Sequence, residues 1–300
     1  MNKLAIVIPY YKIDFFEETI KSVGSQSNRN FVLYIGNDAS PDNPLPIIEK
    51  YLSDFSYFYF DYTENLGGKN LALQWERILD NIKEEWFQIL GDDDLIAENF
   101  VEEFYKNLPN VEKKKASVIK FSHQWINEDH QLIKDFEYPF PEIAPQDFFL
   151  QKYHNEIKSS LSENIFKTST YKKYKFEKLP LAWGSDDLAI LAFADHHHII
   201  YIKDTKVKVR ISTKSISGSD EYDELKEKAL HQMKGIVITK YSHFFSFDFI
   251  DKIIYQYTYQ SYQKGFSFYY PVIFYYLKHF KITAFLKALR KTYYIYKKHV

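Results

Sequence analysis

Through the first 125 residues, short apolar runs alternate with segments of helical period. LAIVIPYY (4–11), FVLYIGNDAS (31–40), YFYFDYT (57–63), WFQIL (86–90) and ASVIKFSHQW (116–125) read as strands. Between them stand FFEETIKSVGSQ (15–26), PIIEKYL (46–52), GGKNLALQWERILDNI (67–82) and AENFVEEFYKNL (97–108). These space their apolar residues three and four apart, most clearly at Leu71, Trp75, Ile78 and Ile82. Strands alternating with helices predict βαβ units, hence an α/β fold built on a mainly parallel sheet.

The pattern changes after the fifth run. Residues 126–144 read as a hairpin and a Pro-rich loop, SDDLAILAFADH (185–196) as an apolar helix with an acidic start, and HIIYIKDTKVKVRIS (198–212) as a strand. From about Glu221 the period is helical and the residues are rich in Tyr, Phe and Lys. This divides the chain into a main domain over 1–218 and a helical, aromatic segment over 219–300. With 300 residues the chain can bury a sizeable core, and the absence of Cys excludes disulfides, thiolate metal sites and Cys nucleophiles. The N-terminal apolar run is too short for a signal sequence, and no stretch approaches the roughly 18 to 20 apolar residues of a membrane span. Cytoplasmic residence is therefore the expectation.

The net charge of −1 is unevenly spread: no Asp or Glu follows Asp251, while nine Lys and Arg do. Such a segment suits either a membrane interface, as a peripheral contact, or a helical subdomain packed on the core or on another subunit. The cations lie on a tail without a nucleic-acid recognition motif, so a nucleic-acid role is not expected. The run His196-His197-His198 reads as a surface turn rather than a metal site.

Ligands of a parallel sheet bind beyond the carboxyl ends of its strands. Tyr11, Asp38, Asn65 and the triplet Asp92-Asp93-Asp94 all stand at such ends. Adjacent carboxylates repel unless a divalent cation neutralises them, and Mg²⁺ or Mn²⁺ commonly bridges one or two carboxylates to a diphosphate. Gly91 leaves room for a sharp turn before them. The triplet serves equally well as an acidic turn capping the next helix, and alone it does not separate the two readings.

Taken in order, IVIPYY, NDASPDN, ENLGGKNLALQWERIL and ILGDDDLIAENF resemble the nucleotide-sugar-binding half of the family 2 glycosyltransferases. The resemblance is strong over about 4–100 and loose over 101–218. It implies the GT-A fold: a Rossmann-like, mainly parallel sheet, with a nucleotide-sugar half over 1–115 and an acceptor half over 116–218. It implies that Pro9 and Tyr11 open the donor site and that Asp38 contacts the uracil. Asn65 and Gly67 form the loop after the third strand, with Lys69 beside the diphosphate. The family's DxD-type motif stands here as Gly91-Asp92-Asp93-Asp94. That puts Asp93 on the metal, Mn²⁺ or Mg²⁺, with Asp92 on the ribose or metal and Asp94 capping the turn. The family's acidic pair at the start of an acceptor-half helix stands here as Asp186-Asp187, with Asp187 matching the base and Asp186 one residue out of register. Arg210, in VRISTKSISG (209–218), matches a phosphate or acceptor contact. Ser212 replaces the family's His, so a third metal ligand from this loop is not expected.

The resemblance implies a metal-dependent inverting glycosyltransferase. It would use a UDP-sugar and a glycan or lipid-linked acceptor in bacterial surface-polysaccharide synthesis, of capsule or O-antigen type. Two other classes remain open. A sugar nucleotidyltransferase would need a Gly-rich loop after the first strand, where PYYKIDFF has no Gly. A non-catalytic nucleotide-sugar-binding protein would not need Asp187.

Overall fold

The structure is a computed structural model and describes residues 3–299. It falls into two compact units, Met1–Asp220 and Glu221–Val300.

The first unit is a ten-stranded sheet flanked by helices. In chain order its elements are β1 (Leu4–Tyr10), α1 (Phe16–Gly24), β2 (Phe31–Asp38), α2 (Leu45–Leu52), β3 (Tyr57–Tyr62), α3 (Leu71–Leu79), β4 (Trp86–Ile89), β5 (Leu95–Ile96) and α4 (Phe100–Lys113). There follow β6 (Val118–Ile126), β7 (Leu132–Phe136), β8 (Glu142–Ile143), α5 (Pro145–Tyr153), β9 (Asn164–Lys167), α6 (Thr168–Tyr174), α7 (Ser185–Phe193) and β10 (Ile199–Arg210). The strand order is β3-β2-β1-β4-β9-β6-β10-β5, with β7 on β6 and β8 on β10. β3, β2, β1 and β4 pair in parallel, as do β6 and β10, and β9 runs antiparallel between β4 and β6. The carboxyl ends of β1, β2, β3, β4, β6 and β10 therefore share one edge of the sheet.

Local chemistry explains these elements. β1, with its burial nearly unbroken, is flanked on both sides by parallel strands and needs apolar residues on both faces. In α1, Phe16, Ile20 and Val23 form the buried stripe that meets the sheet. Asn70 caps α3 by accepting the Ala72 N–H at 3.1 Å. α7 is apolar nearly all round and buries Leu188 to Phe193, so it lies inside the unit rather than on its surface. The hairpin expected after residue 125 is formed by β6 and β7. The His196–His198 run lies in the turn between α7 and β10. β9, α5 and α6 had no counterpart in the sequence reading.

The second unit is helical: α8 (Asp223–Ile236), α9 (Phe247–Lys264), α10 (Phe274–Lys278) and α11 (Ile282–His299). Its interior holds Ala229, Met233, Ile250, Ile253, Ile254, Tyr257, Val272 and Ile273, with Ala288 and Ile295 from α11. Ser246 caps α9 and Gly265 ends it at φ 70°, a conformation glycine adopts without a Cβ penalty. Among the described residues no helix is long and apolar enough to cross a membrane.

Candidate functional site

The Asp92–Asp94 triplet follows β4 at the shared edge, and its three carboxylates have different surroundings. Asp92 Oδ2 accepts the backbone N–H groups of Tyr11 and Lys12, each at 2.8 Å, which ties the β4 loop to the end of β1. Asp94 is buried; its Oδ1 accepts the Arg210 N–H at 2.8 Å and its Oδ2 the Ser162 hydroxyl. Burial lifts the Asp94 carboxyl to about 6 in spite of those bonds. Asp94 thus joins the end of β4 to β10. Asp93 alone of the three accepts no hydrogen bond on its carboxylate from another residue among those described, although its backbone carbonyl accepts from Arg210. It lines a pocket with Lys12, Asp14, Phe15, Ser212, Lys214 and Ser215. Burial, then Asp94 and Asp92, push its carboxyl well above the usual range, and Arg210 only partly opposes them. Gly91 makes this packing feasible: a Cβ there would sit 2.9 Å from Asp94 Oδ2 and 3.1 Å from Asp93 Oδ1.

Two lysines border the Asp93 pocket, each in a bond to the loop opposite. Lys12 Nζ donates to the Lys214 carbonyl, and Lys214 Nζ pairs with Asp14. The loop after β10 is folded on itself, with Ser215 Oγ donating to the Ser212 carbonyl at 2.9 Å. Gly218 passes so close that a Cβ would lie 2.3 Å from the Ser212 carbonyl oxygen. Tyr11 is exposed at the mouth of β1, and Pro9 lies opposite Gly36 in the β1–β2 register.

Four residues read as ligand contacts are held by the protein itself. Asp38 is buried, and its oxygens accept the Leu66 N–H at 2.8 Å, the Gly67 N–H at 2.7 Å and the Arg77 guanidinium. It anchors the loop after β3, and a Cβ on Gly67 would approach Asp38 Oδ2 to 2.5 Å. Asn65 Oδ1 closes that loop on the Gly68 N–H at 2.5 Å, and Lys69 pairs with Glu64 on the surface. Arg210, expected to reach a phosphate or acceptor, has its guanidinium fully enclosed. It pairs with Glu18, donates to the carbonyls of Asp93 (3.1 Å), Asn127 (3.1 Å) and Glu128 (3.2 Å), and lies 4.1 Å from the Phe15 ring centroid. It presents no free donor fork. The reason is tertiary: β10 lies next to β6 in the sheet, so Arg210 fills the gap between the loops that follow both.

Asp186 and Asp187 occupy the first turn of α7, where the helix dipole favours negative charge. The chain enters that helix through Leu181 (φ 56°), Ala182 (φ 51°) and Gly184 (φ 83°), left-handed positions that cost non-glycine residues about 1 kcal/mol or more each. Lys152, from α5, reaches both carboxylates: it donates to Asp187 Oδ1 and lies 3.5 Å from Asp186 Oδ2. Burial, then Asp186, raises the Asp187 carboxyl to about 7, while Lys152 acts in the opposite sense. Burial alone would lower the Lys152 pKa, but the two aspartates outweigh it and raise it.

Residues not singled out from the sequence connect these carboxylates. Lys152 Nζ also donates to the Ser159 carbonyl at 2.9 Å. Ser159 Oγ accepts from Lys120 at 2.7 Å and donates to Glu163 at 3.0 Å, and Lys120 pairs with Glu163 at 2.6 Å. Lys120 and Glu163 are both buried, and opposition from Lys120 and His123 overcomes desolvation to hold the Glu163 carboxyl down at about 2. Ser162, adjacent to Glu163, also accepts the Gly91 N–H at 3.1 Å. One signal for this cluster stood in the sequence: a Lys and a His inside the apolar run VIKFSH of β6. Nothing local marked Lys152 or Glu163. Among the described residues no group of three or more His, Asp and Glu is arranged to hold a metal ion.

Comparison with known proteins bears on this edge. A teichoic acid poly(glycerol phosphate) polymerase of Staphylococcus epidermidis is 25% identical over 130 residues, 41% of this chain and 17% of the polymerase. An uncharacterized glycosyltransferase of Rickettsia typhi is 32% identical over 116 residues, 38% of this chain and 35% of the relative. Thus the chain spans well under half the length of these curated relatives. Among solved structures, S. aureus TarS 1-349 in complex with UDP-GlcNAc aligns over 87% of this chain and 72% of its own, with TM-score 0.60 and 16% identity. The mannosyltransferase PcManGT of Pyrobaculum calidifontis, in complex with GDP-Man and Mn²⁺, aligns over 79% of this chain and 64% of its own, with TM-score 0.55 and 14% identity. These likenesses establish a GT-A fold. The family profile described as "Glycosyl transferase family 2" matches residues 5–180, more than half of the chain and nearly all of the edge that carries the acidic triplet, so the protein belongs to glycosyl transferase family 2.

Proposed function

We propose that the protein is a metal-dependent inverting glycosyltransferase that moves a hexosyl or N-acetylhexosaminyl group from a UDP-sugar to a glycan or lipid-linked acceptor. The carrying observation is Asp93, the one carboxylate of the triplet left without a bond from another described residue, lining the pocket bordered by Lys12 and Lys214. The nucleotide-sugar half is 1–115, the acceptor half 116–218, and the segment 219–300 makes a peripheral membrane contact. Bacterial surface-polymer synthesis fits the relatives named above.

Asp93 is desolvated and crowded by like charge, so a cation is the partner its surroundings lack. Asp93 would hold Mn²⁺ or Mg²⁺, which supplies charge neutralisation at the departing diphosphate. Lys12 and Lys214 exchange their present partners for diphosphate oxygens, and the exposed Tyr11 ring covers the base. Asp187 takes the acceptor hydroxyl proton as that oxygen bonds to the anomeric carbon. The bond from that carbon to the diphosphate breaks on the opposite face, and the nucleotide diphosphate leaves with the electron pair. Displacement from the opposite face inverts the anomeric centre, the outcome the family resemblance implies.

A thermal-shift screen of UDP-GlcNAc, UDP-glucose and GDP-mannose, with and without Mn²⁺, tests the reading. A UDP-sugar at a hundredfold excess over its dissociation constant should stabilise the chain by about 2.7 kcal/mol. No shift with any donor in Mn²⁺ overturns it. Acceptor-independent donor hydrolysis by the same preparation separates an enzyme from a non-catalytic binder.

A further inference from the structure

α11 carries two apolar stripes. Ala288, Thr292 and Ile295 face inward and are buried within the second unit. Ile282, Leu286, Leu289, Tyr293 and Tyr296 are all exposed, with Ile282 62%, Leu286 56% and Tyr293 61% exposed. Their spacing of four, three, four and three residues keeps them on one side of the helix, within an arc of about 80° at 100° per residue. Phe280, just before the helix, is 89% exposed. A helix that packs one face on a core ordinarily turns polar residues outward, so a second stripe of large apolar side chains marks an interaction face.

Charge identifies its occupant. Arg290 and Lys297 border the outer stripe, and Lys287 and Lys281 lie further round the same segment. None of these cations has an acidic partner among the described residues, and no Asp or Glu follows Asp251. A second copy of this helix would bring acid-free cationic flanks together, with no carboxylate to pair across the seam. An anionic lipid surface supplies the missing charge, and tyrosines favour its headgroup level.

We propose that α11 lies flat on an anionic lipid bilayer, with Phe280 and the Ile282–Leu286–Leu289–Tyr293–Tyr296 stripe buried among the lipids and Arg290 and Lys297 on the headgroups. The inference rests on the peripheral membrane contact proposed above and assigns it a face; it is independent of the donor and the transfer chemistry.

Co-sedimentation of the full chain with vesicles of phosphatidylcholine, alone or with phosphatidylglycerol, is the test. The parent should bind the phosphatidylglycerol vesicles, release them at high salt and leave pure phosphatidylcholine unbound. Leu286→Glu with Tyr293→Glu should weaken binding tenfold or more. Leu132→Glu, an exposed apolar position on β7, should bind like the parent. Far-UV circular dichroism and thermal unfolding verify that the variants fold, and both altered α11 residues are exposed. If the parent ignores phosphatidylglycerol, the peripheral contact fails and the inference with it. If the parent binds and the double variant binds equally, the contact stands and the face is misassigned. A parent that is dimeric in solution, made monomeric by the same substitutions and indifferent to lipid, assigns the stripe to a second copy.

Discussion

Lys152 Nζ donates to Asp187 Oδ1 while lying 3.5 Å from Asp186 Oδ2, so a single lysine from α5 holds both acids at the start of α7. Charged groups around the pair come from several elements: Lys152 from α5, Lys120 from β6 and Glu163 from the loop before β9. A cation favours the ionised carboxylate, so Lys152 keeps more of Asp187 in its basic form near neutrality. Lys152→Met should raise the Asp187 carboxyl above its present value of about 7. Carbon-13 titration of the Asp carboxyl groups, with Asp187→Asn identifying the signal, reads this directly. The acid limb of the pH profile for donor turnover should move to higher pH, and Lys152→Arg should largely restore it. An unmoved titration in Lys152→Met would show that the lysine does not set the charge of the pair.

Asp187→Asn keeps the shape of the side chain and removes its basicity. Turnover should fall about 10²–10⁴-fold, with donor affinity nearly unchanged, because the donor pocket proposed above is lined by Asp93, Lys12 and Lys214 and not by Asp187. Asp186→Asn should do much less. Steady-state rates with calorimetric donor titrations make the comparison. A dead Asp186→Asn beside an active Asp187→Asn moves the base by one residue.

Asp38→Ala should destabilise the chain before any ligand is added. It leaves the mostly buried Arg77 guanidinium and the Leu66 and Gly67 N–H groups without their acceptor. Removing one member of such a pair costs about 3 kcal/mol, readable as a lower urea midpoint. A variant as stable as the parent that fails to bind uridine would return Asp38 to the base contact the sequence suggested.

Asp93→Asn should remove Mn²⁺-dependent UDP binding and raise the stability of the ligand-free chain at neutral pH. The sign follows from linkage. The folded-state pKa of Asp93 lies above its unfolded value, so the carboxyl contributes most favourably when protonated, and stability is lost as pH rises from the ordinary carboxylate range to that raised value. Asn has no such loss. Its gain in melting temperature should be present at pH 8 and absent below about pH 4, the range of an ordinary aspartate. A lower melting temperature at pH 8 would mean that the Asp93 carboxylate already has a stabilising partner.

The sequence by itself determined the parallel half of the sheet and the address of the acidic triplet. Both rest on local pattern: fully apolar strands need partners on both faces, and a polar strand end after a helix–strand alternation falls on one edge. The acidic start of α7 was legible for the same reason, since it opens an apolar helix. What each side chain does there was decided by tertiary structure. Asp92, Asp93 and Asp94 are chemically identical and adjacent. They differ because the Tyr11 and Lys12 amides meet the first carboxylate, Ser162 and Arg210 meet the third, and no donor from another described residue reaches the carboxylate of the second. Arg210 became a buried tie because β10 lies beside β6, a neighbour 84 residues distant at Ile126. Lys152 and Glu163 lay in a stretch without periodicity, and only packing brought them to Asp187 and Lys120. The periodicity of α11 was visible in the sequence, but which of its apolar stripes faces inward depended on where α9 and α10 lie. A sequence fixes which residues share a face, whereas the charge and freedom of a side chain depend on neighbours that only the folded chain supplies.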